Sequence, residues 1–315
     1  MQETSRTKPL NIAHRGGADL WPENTLEAFV RAIDMGVDGL EFDIQLSQDG
    51  APVIHHDATL KPEATRLNGT FLKKPTPRID ALRLAELQDY DVGALLPDSP
   101  YGRRRATRAN MDGVKIPTLA ALEELVAATA PKGFRLYTEL KTDMGPNPDQ
   151  AHRLADAYLA ALENSPVAEQ HCVVSFDWRA LNRVRAARPD IQHAYTTLEF
   201  ANTDPAHESA AQDTQLAAAI RAASANGAPW FDGFDWRAMD GDSHGAKMLA
   251  AIHAAGGTGW FAYWQDIDAS RMAQARALEL SVSAWTVNEA DTMQRLAALG
   301  VEALITDRPD ILKTL

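Results

Sequence analysis

A chain of 315 residues, 45% hydrophobic and 23% charged, has ordinary globular composition and enough length to bury a large core. Its formal net charge of −12 argues against nucleic acid or an anionic membrane surface as partners, so an anionic ligand needs a local positive site such as an Arg or a metal ion. One cysteine excludes an intramolecular disulfide, no apolar run approaches the ~20 residues of a membrane span, and residues 1–10 lack the apolar core of a signal peptide. The expectation is a cytoplasmic chain without stable membrane association, or a periplasmic one if a leader precedes this numbering.

Short β-rich runs alternate with helical patterns along the whole chain, the signature of parallel βαβ units. Strands are predicted near 10–15, 38–46, 134–140, 172–176, 191–197, 230–234, 258–263 or 282–287, and 302–306. Eight strands in this length predict a single α/β domain over 1–315, a closed (β/α)8 TIM barrel. In the first helix, Asn24 followed by Glu27 reads as a capping box, Leu26, Phe29, Val30 and Ile33 share one face, and Gly36 stops it. Residues 58–117, rich in Pro, Gly and charge, form a long insertion after the second strand, either a lid or a small subdomain. Its Arg103, Arg104, Arg105 and Arg108 suit an anionic headgroup, although a solvated surface loop is the plainer reading. Cys172 falls in an apolar run and reads as a small buried hydrophobe, and the Ala-rich stretch 210–225 reads as one helix. A doubly wound nucleotide fold is the alternative architecture, but the first strand leads into His14-Arg15-Gly16-Gly17, which lacks the G-x-G-x-x-G spacing.

Within 39–46 side chains alternate between two faces: Leu40, Phe42, Ile44 and Leu46 make one apolar face, and Glu41, Asp43 and Gln45 then point into the barrel. Close carboxylates repel by about 4 kcal/mol at ~4 Å with an effective dielectric near 20, so one must protonate or a cation must lie between them. A hard divalent ion bound through oxygen answers this, and three carboxylates suit several, Mg and Ca among them. A buried salt bridge to Lys141 is the alternative. Glu139 in the 134–140 strand adds a third carboxylate and a further metal ligand, and Lys141 on the same face adds a cation for a phosphate oxygen. Arg15 has the fork geometry for phosphate, His14 titrates near neutral pH, and a second histidine, His56, follows in the run His55-His56-Asp57. Together these residues describe an acid, a base, a metal and a phosphate clamp. The remaining histidines, His55, His152, His171, His193, His207, His244 and His253, read as surface or packing residues.

At this point the chain resembles the glycerophosphodiester phosphodiesterase family. The resemblance runs in order through HRG at 14–16, PENT at 22–25, EFDIQLSQDG at 41–50, HHD at 55–57, IPTL at 116–119, TELK at 138–141, AWTVN at 284–288 and TDRPD at 306–310. YDVG at 90–93 also resembles members acting on small deacylated phospholipids. The resemblance implies a TIM barrel in which Glu41, Asp43 and Glu139 bind one divalent metal ion, Mg or Ca. His14 and His56 would be general acid and base, Arg15 and Lys141 would hold phosphate, and Trp285 would form an apolar wall beside the glycerol. The implied partner is a small-molecule glycerophosphodiester, cleaved to sn-glycerol 3-phosphate and an alcohol. A lysophospholipase D or sphingomyelinase D type enzyme is the first rival and needs an apolar membrane-docking element. The second is a non-catalytic phosphate-binding barrel, which has no use for two histidines and three carboxylates.

Overall fold

The computed structural model describes residues 8–199 and 215–315. Eight parallel strands succeed one another around a ring: β1 (Leu10–His14), β2 (Gly39–Leu46), β3 (Arg135–Leu140), β4 (His171–Ser175), β5 (Gln192–Thr197), β6 (Gly259–Tyr263), β7 (Ser281–Trp285) and β8 (Ala303–Thr306). Because β1 pairs with β8 on one side and β2 on the other, the ring is closed and has no free edge. Helices on the outside connect successive strands, as in a (β/α)8 barrel. A short antiparallel strand, Pro52–Ile54, folds back along the carboxyl end of β2 and carries the chain toward His55 and His56.

The alternation read from the second strand sets the layers. Leu40, Phe42 and Ile44 face outward into the main core, where Phe42 meets Phe29 of the helix Leu26–Met35 edge to face at 6.1 Å. Burying each such side chain contributes about 1.5–3 kcal/mol. A separate cluster fills the inside of the barrel, with Ile12, Tyr137, Cys172, Val174, Phe261 and Ile305 among its members, so Cys172 is the small buried hydrophobe expected. The plug holds a polar contact, between the Tyr137 hydroxyl and Ser283 Oγ at 3.3 Å, and the inward carboxylates Asp43 and Glu139 stand nearer the carboxyl ends of their strands. Pairing puts His14 beside Glu41 and Asp43 beside Glu139, which fixes four of the candidate residues on three adjacent strands.

Two local expectations are corrected. The cap of the first helix is Thr25, whose side chain accepts from the Ala28 amide, and Asn24 instead turns inward to Asp43. Gly36 does end that helix, in a left-handed conformation at φ 82°. Residues 230–234 are not a strand, whereas both 259–263 and 281–285 are. Trp230 and Phe231 are apolar because they pack outside the barrel, Phe231 lying 4.8 Å from the Trp178 ring, and left-handed Asp232 and Gly233 break any extended path. The helix expected over 210–225 is seen at Gln215–Ala225, and residues 210–214, like His207, lie outside the described residues.

The insertion has a core of its own, in which Leu60, Ile79, Leu82 and Leu87 pack with Val53 and Ile116, and a small antiparallel sheet of Arg66–Leu67, Thr70–Phe71 and Tyr90–Asp91. Asp91 of the YDVG stretch is its hub, pairing with Arg66 at 2.6 Å and accepting from the amides of Gly93, Gly113 and Val114. Gly93 is glycine because a Cβ there would lie 2.4 Å from the Met111 carbonyl oxygen. Asp91→Ala removes an ion pair and three acceptor bonds at once, and is expected to lower stability by about 2–4 kcal/mol. The readout is the midpoint of urea unfolding, and an unshifted midpoint would show that the carboxylate does not organise the insertion.

Candidate active site

Beyond β1 the chain must turn sharply inward over the barrel mouth. Arg15 takes a left-handed φ of 51°, and its amide donates to the Glu41 carbonyl at 2.8 Å and to Glu41 Oε2 at 3.2 Å. Gly16 follows at φ 85°, where a Cβ would lie 2.8 Å from that of Ala28. Asn24, also left-handed at φ 57°, is anchored by its amide to the Arg15 carbonyl and donates Nδ2 to Asp43 Oδ2 at 2.8 Å.

At the centre lie Glu41, Asp43 and Glu139, all buried, each offering an oxygen within 4.8 Å of the others. Arg15 Nε approaches Asp43 Oδ2 at 3.1 Å, and Lys141 Nζ lies 3.1 Å from Glu139 and 3.6 Å from Asp43. Lys141 thus forms the salt bridge weighed against a metal, yet two cations face three carboxylates. The imbalance shows in the acidities. Burial, then repulsion from Asp43 and Glu139, pushes the Glu41 carboxyl up to about 8. Asp43 overcomes its own burial through Arg15, His56 and Lys141 and stays far below the usual range, while burial raises Glu139.

His14 and His56 approach the cluster from β1 and from the loop after Pro52–Ile54. Each has Nδ1 against an aspartate: His14 lies 2.6 Å from Asp307 Oδ1, and His56 lies 3.2 Å from Asp57 Oδ1. The Nε2 atom of His14 points toward Glu41 at 3.7 Å. Burial works against a charge on His14, but Asp307 and Glu41 outweigh it and raise the imidazole above its ordinary value. Burial together with Arg15 and Lys141 takes His56 down to about 4. Gln45 steadies the His56 loop by donating Nε2 to the carbonyls of His55 and Asp57, both at 2.8 Å.

Trp285, at the end of β7, stacks on Phe261 at 6.3 Å and contacts Phe176 and Tyr263, which stand at the ends of β4 and β6. An aromatic wall therefore rises beside the charged cluster. All eight residues read from the sequence stand at the carboxyl end of the barrel.

Others were missed. Asp307 orients His14 and is itself held by Asn288 Nδ2 at 2.9 Å. Glu23 pairs with Arg15 Nη1 at 3.1 Å, and although it is half-buried and this works against its charge, it is drawn down to about 2 by Arg15, by Arg105 and by the Tyr101 hydroxyl that donates to it. Arg105 is no solvated residue: it pairs with Asp19 at 2.6 Å and reaches Asp307 at 3.8 Å. Arg108 is buried as well, donating to the Trp21 carbonyl at 3.0 Å. Asp307, Asn288 and Glu23 fall in stretches noted from the sequence, TDRPD, AWTVN and PENT, but nothing in the order of residues joins them to His14 or Arg15.

Residues 14–311 match the family model described as the Glycerophosphoryl diester phosphodiesterase family. The chain belongs to this family. A glycerophosphodiester phosphodiesterase of Caldanaerobacter subterraneus is 31% identical over 185 residues, an alignment spanning 59% of this chain and 65% of that protein. A crystal structure from Silicibacter pomeroyi, named for the same enzyme class, superposes with a TM-score of 0.81 at 28% identity, covering 99% of this chain and 93% of the other. A phosphodiesterase from Oleispira antarctica in complex with the product sn-glycerol-3-phosphate shares the fold, with a TM-score of 0.66 at 22% identity over 96% of this chain and 94% of the other. With the family comes the enzyme class, phosphoric diester hydrolase.

A divalent cation fits the three carboxylates on two observations: Asp43 Oδ1 is buried without a hydrogen-bond partner, and Glu41 is forced toward its neutral form when no cation balances the cluster. The second has a thermodynamic corollary. Glu41 has a higher pKa folded than unfolded, so its contribution is fully present below about 4.5 and is lost as pH rises toward 8. In chelated protein, Glu41→Gln should therefore raise the melting temperature at pH 8 by at least ~2 °C, with little gain at pH 4.5. A lower melting temperature at pH 8 would overturn the electrostatic account.

Proposed function

We propose that the chain hydrolyses glycerophosphodiesters to sn-glycerol 3-phosphate and an alcohol such as choline or ethanolamine, using His14 and His56 as an acid and base pair beside one divalent cation, Mg or Ca. One observation carries this reading: two imidazoles, each tethered at Nδ1 by an aspartate, flank a buried carboxylate triad and an arginine. A tethered Nδ1 fixes the tautomer and leaves Nε2 to move the proton.

Glu41, Asp43 and Glu139 would hold the cation, which supplies charge stabilisation at the phosphoryl oxygens. Arg15 and Lys141 draw a phosphate into the same corner, and the wall of Phe176, Tyr263 and Trp285 receives the carbon skeleton. The nucleophile we favour is the substrate's own glycerol 2-hydroxyl, since an adjacent hydroxyl is already positioned and gains high effective molarity. One histidine takes the hydroxyl proton as its oxygen attacks phosphorus, and the other gives a proton to the departing alcohol, leaving a cyclic 1,2-phosphate. In the second step the roles exchange: water attacks phosphorus, losing a proton to the histidine that acted as acid, and the ring oxygen recovers a proton as the 2-hydroxyl. Each proton transfer contributes roughly 10²–10⁴-fold in rate.

The lipid-cleaving alternative has little support, because the exposed large hydrophobics among the described residues are the isolated Leu67 and Leu96. Among those residues no helix is long and apolar enough to cross a membrane.

Two measurements test the proposal. Exhaustive chelation is expected to abolish hydrolysis of glycerophosphocholine and added Mg or Ca to restore it, whereas full activity in metal-free protein verified by elemental analysis removes the cation from the mechanism. A 2-deoxy analogue should bind but not turn over, while hydrolysis at a rate near that of the natural substrate would identify water as the nucleophile.

A further inference from the structure

Besides Lys61, which pairs with Asp57 at 2.8 Å, the insertion sends one short segment to the active site. Ser99 caps the helix Pro100–Arg104, accepting from the Gly102 amide at 2.9 Å and donating to the Leu96 carbonyl at 2.7 Å. Gly102 must be glycine, because a Cβ would lie 2.1 Å from the Leu96 carbonyl oxygen. The tight turn aims Tyr101 at the barrel. Past the helix, Arg108 donates to the Trp21 carbonyl and the Ala109 amide donates to the Leu20 carbonyl at 2.9 Å, which clamp the segment onto the loop after β1.

Two side chains of this segment enter the buried polar network, one on each functional half. The Tyr101 hydroxyl donates to Glu23 Oε2 while Glu23 Oε1 takes Arg15 Nη1, so the rotamer of the phosphate-facing arginine is set from outside the barrel. Arg105 lies across the Tyr101 ring, 5.2 Å from its centroid, and reaches Asp307 Oδ2, whose Oδ1 holds His14. Asp307 is thereby gripped by three groups, His14, Asn288 and Arg105.

We propose that Tyr101 and Arg105 are positioning residues by which the insertion completes the active site: Tyr101 orients Arg15 through Glu23, and Arg105 orients His14 through Asp307. Neither touches the carboxylate triad, so each should act on a different kinetic constant. Loss of the Tyr101 hydroxyl frees Glu23 and Arg15 and weakens phosphate binding. Loss of the Arg105 charge loosens Asp307 and slows proton transfer without changing binding. Residues that orient groups contacting the substrate typically contribute 10- to 100-fold.

The experiment measures kcat and KM for glycerophosphocholine, calorimetric affinity for sn-glycerol 3-phosphate, and melting temperature in full-length Tyr101→Phe, Arg105→Gln and Arg108→Ala proteins. Tyr101→Phe should weaken KM and product affinity about 10-fold with kcat nearly unchanged, and Arg105→Gln should lower kcat about 10- to 100-fold with KM nearly unchanged. Arg108→Ala, which removes the docking bond to the Trp21 carbonyl, should lower the melting temperature but keep both constants within about two-fold. Either of the first two variants within about two-fold of wild type on both constants overturns the proposal, as does an Arg108→Ala protein that reproduces their losses. The proposal rests on the catalytic reading above, so His14→Ala and Arg15→Ala are measured in parallel. Activity retained in those two overturns the reading and the proposal together, whereas their inactivity beside wild-type Tyr101→Phe and Arg105→Gln overturns the proposal alone.

Discussion

Everything at the barrel mouth answers to one electrostatic demand: three carboxylates withdrawn from water within 4.8 Å of one another. Taking a charge into the interior costs several kcal/mol unless it is paired and hydrogen-bonded, so the surroundings are built to supply partners. Arg15 and Lys141 supply charge, and Asn24 supplies an amide to Asp43. Both Arg15 and Asn24 occupy left-handed backbone, a conformation costing about 1–3 kcal/mol each that persists only where neighbours over-determine it. The local irregularities of the β1 loop follow from that central demand.

The same demand explains why the site is electrically two-sided. Charged groups cluster at the ends of β8, β1, β2 and β3 and in the loops above them, while Phe176, Tyr263 and Trp285 occupy the ends of β4, β6 and β7. Under the proposed function, a diester with one anionic centre and a neutral or differently charged remainder matches this division, its phosphate meeting the charged wall and its carbon skeleton the aromatic one.

The barrel was legible because its strands obey period-two alternation and its helices end at glycines, as at Gly36 and Gly300. Glu41, Asp43, Glu139 and Lys141 could be read because an inward carboxylate on an otherwise apolar strand violates that alternation. Residues 230–234 deceived for the opposite reason: Trp230 and Phe231 are buried as a strand would bury them, but against the helix Trp178–Ala187 outside the barrel. Asn24 likewise carried a helix-cap signal one residue early because its side chain serves Asp43. Glu23, Asp307, Tyr101 and Arg105 were not legible. Their roles depend on partners in distant stretches, and a surface-like run of arginines in a long loop gives no sign that Arg105 is paired with aspartates and Arg108 is buried.

The bond between His14 and Asp307 joins residues 293 positions apart, across the seam where β1 meets β8. Such a contact carries nearly the largest loop-closure entropy this chain can incur, so it belongs among the last to form. On the proposed role of His14, a chain in which this seam is open could not move a proton through that residue, whatever helices and strands it has formed. Catalysis would then be a late reporter of folding, silent until the seam is sealed, and the first capability lost when that seam opens locally.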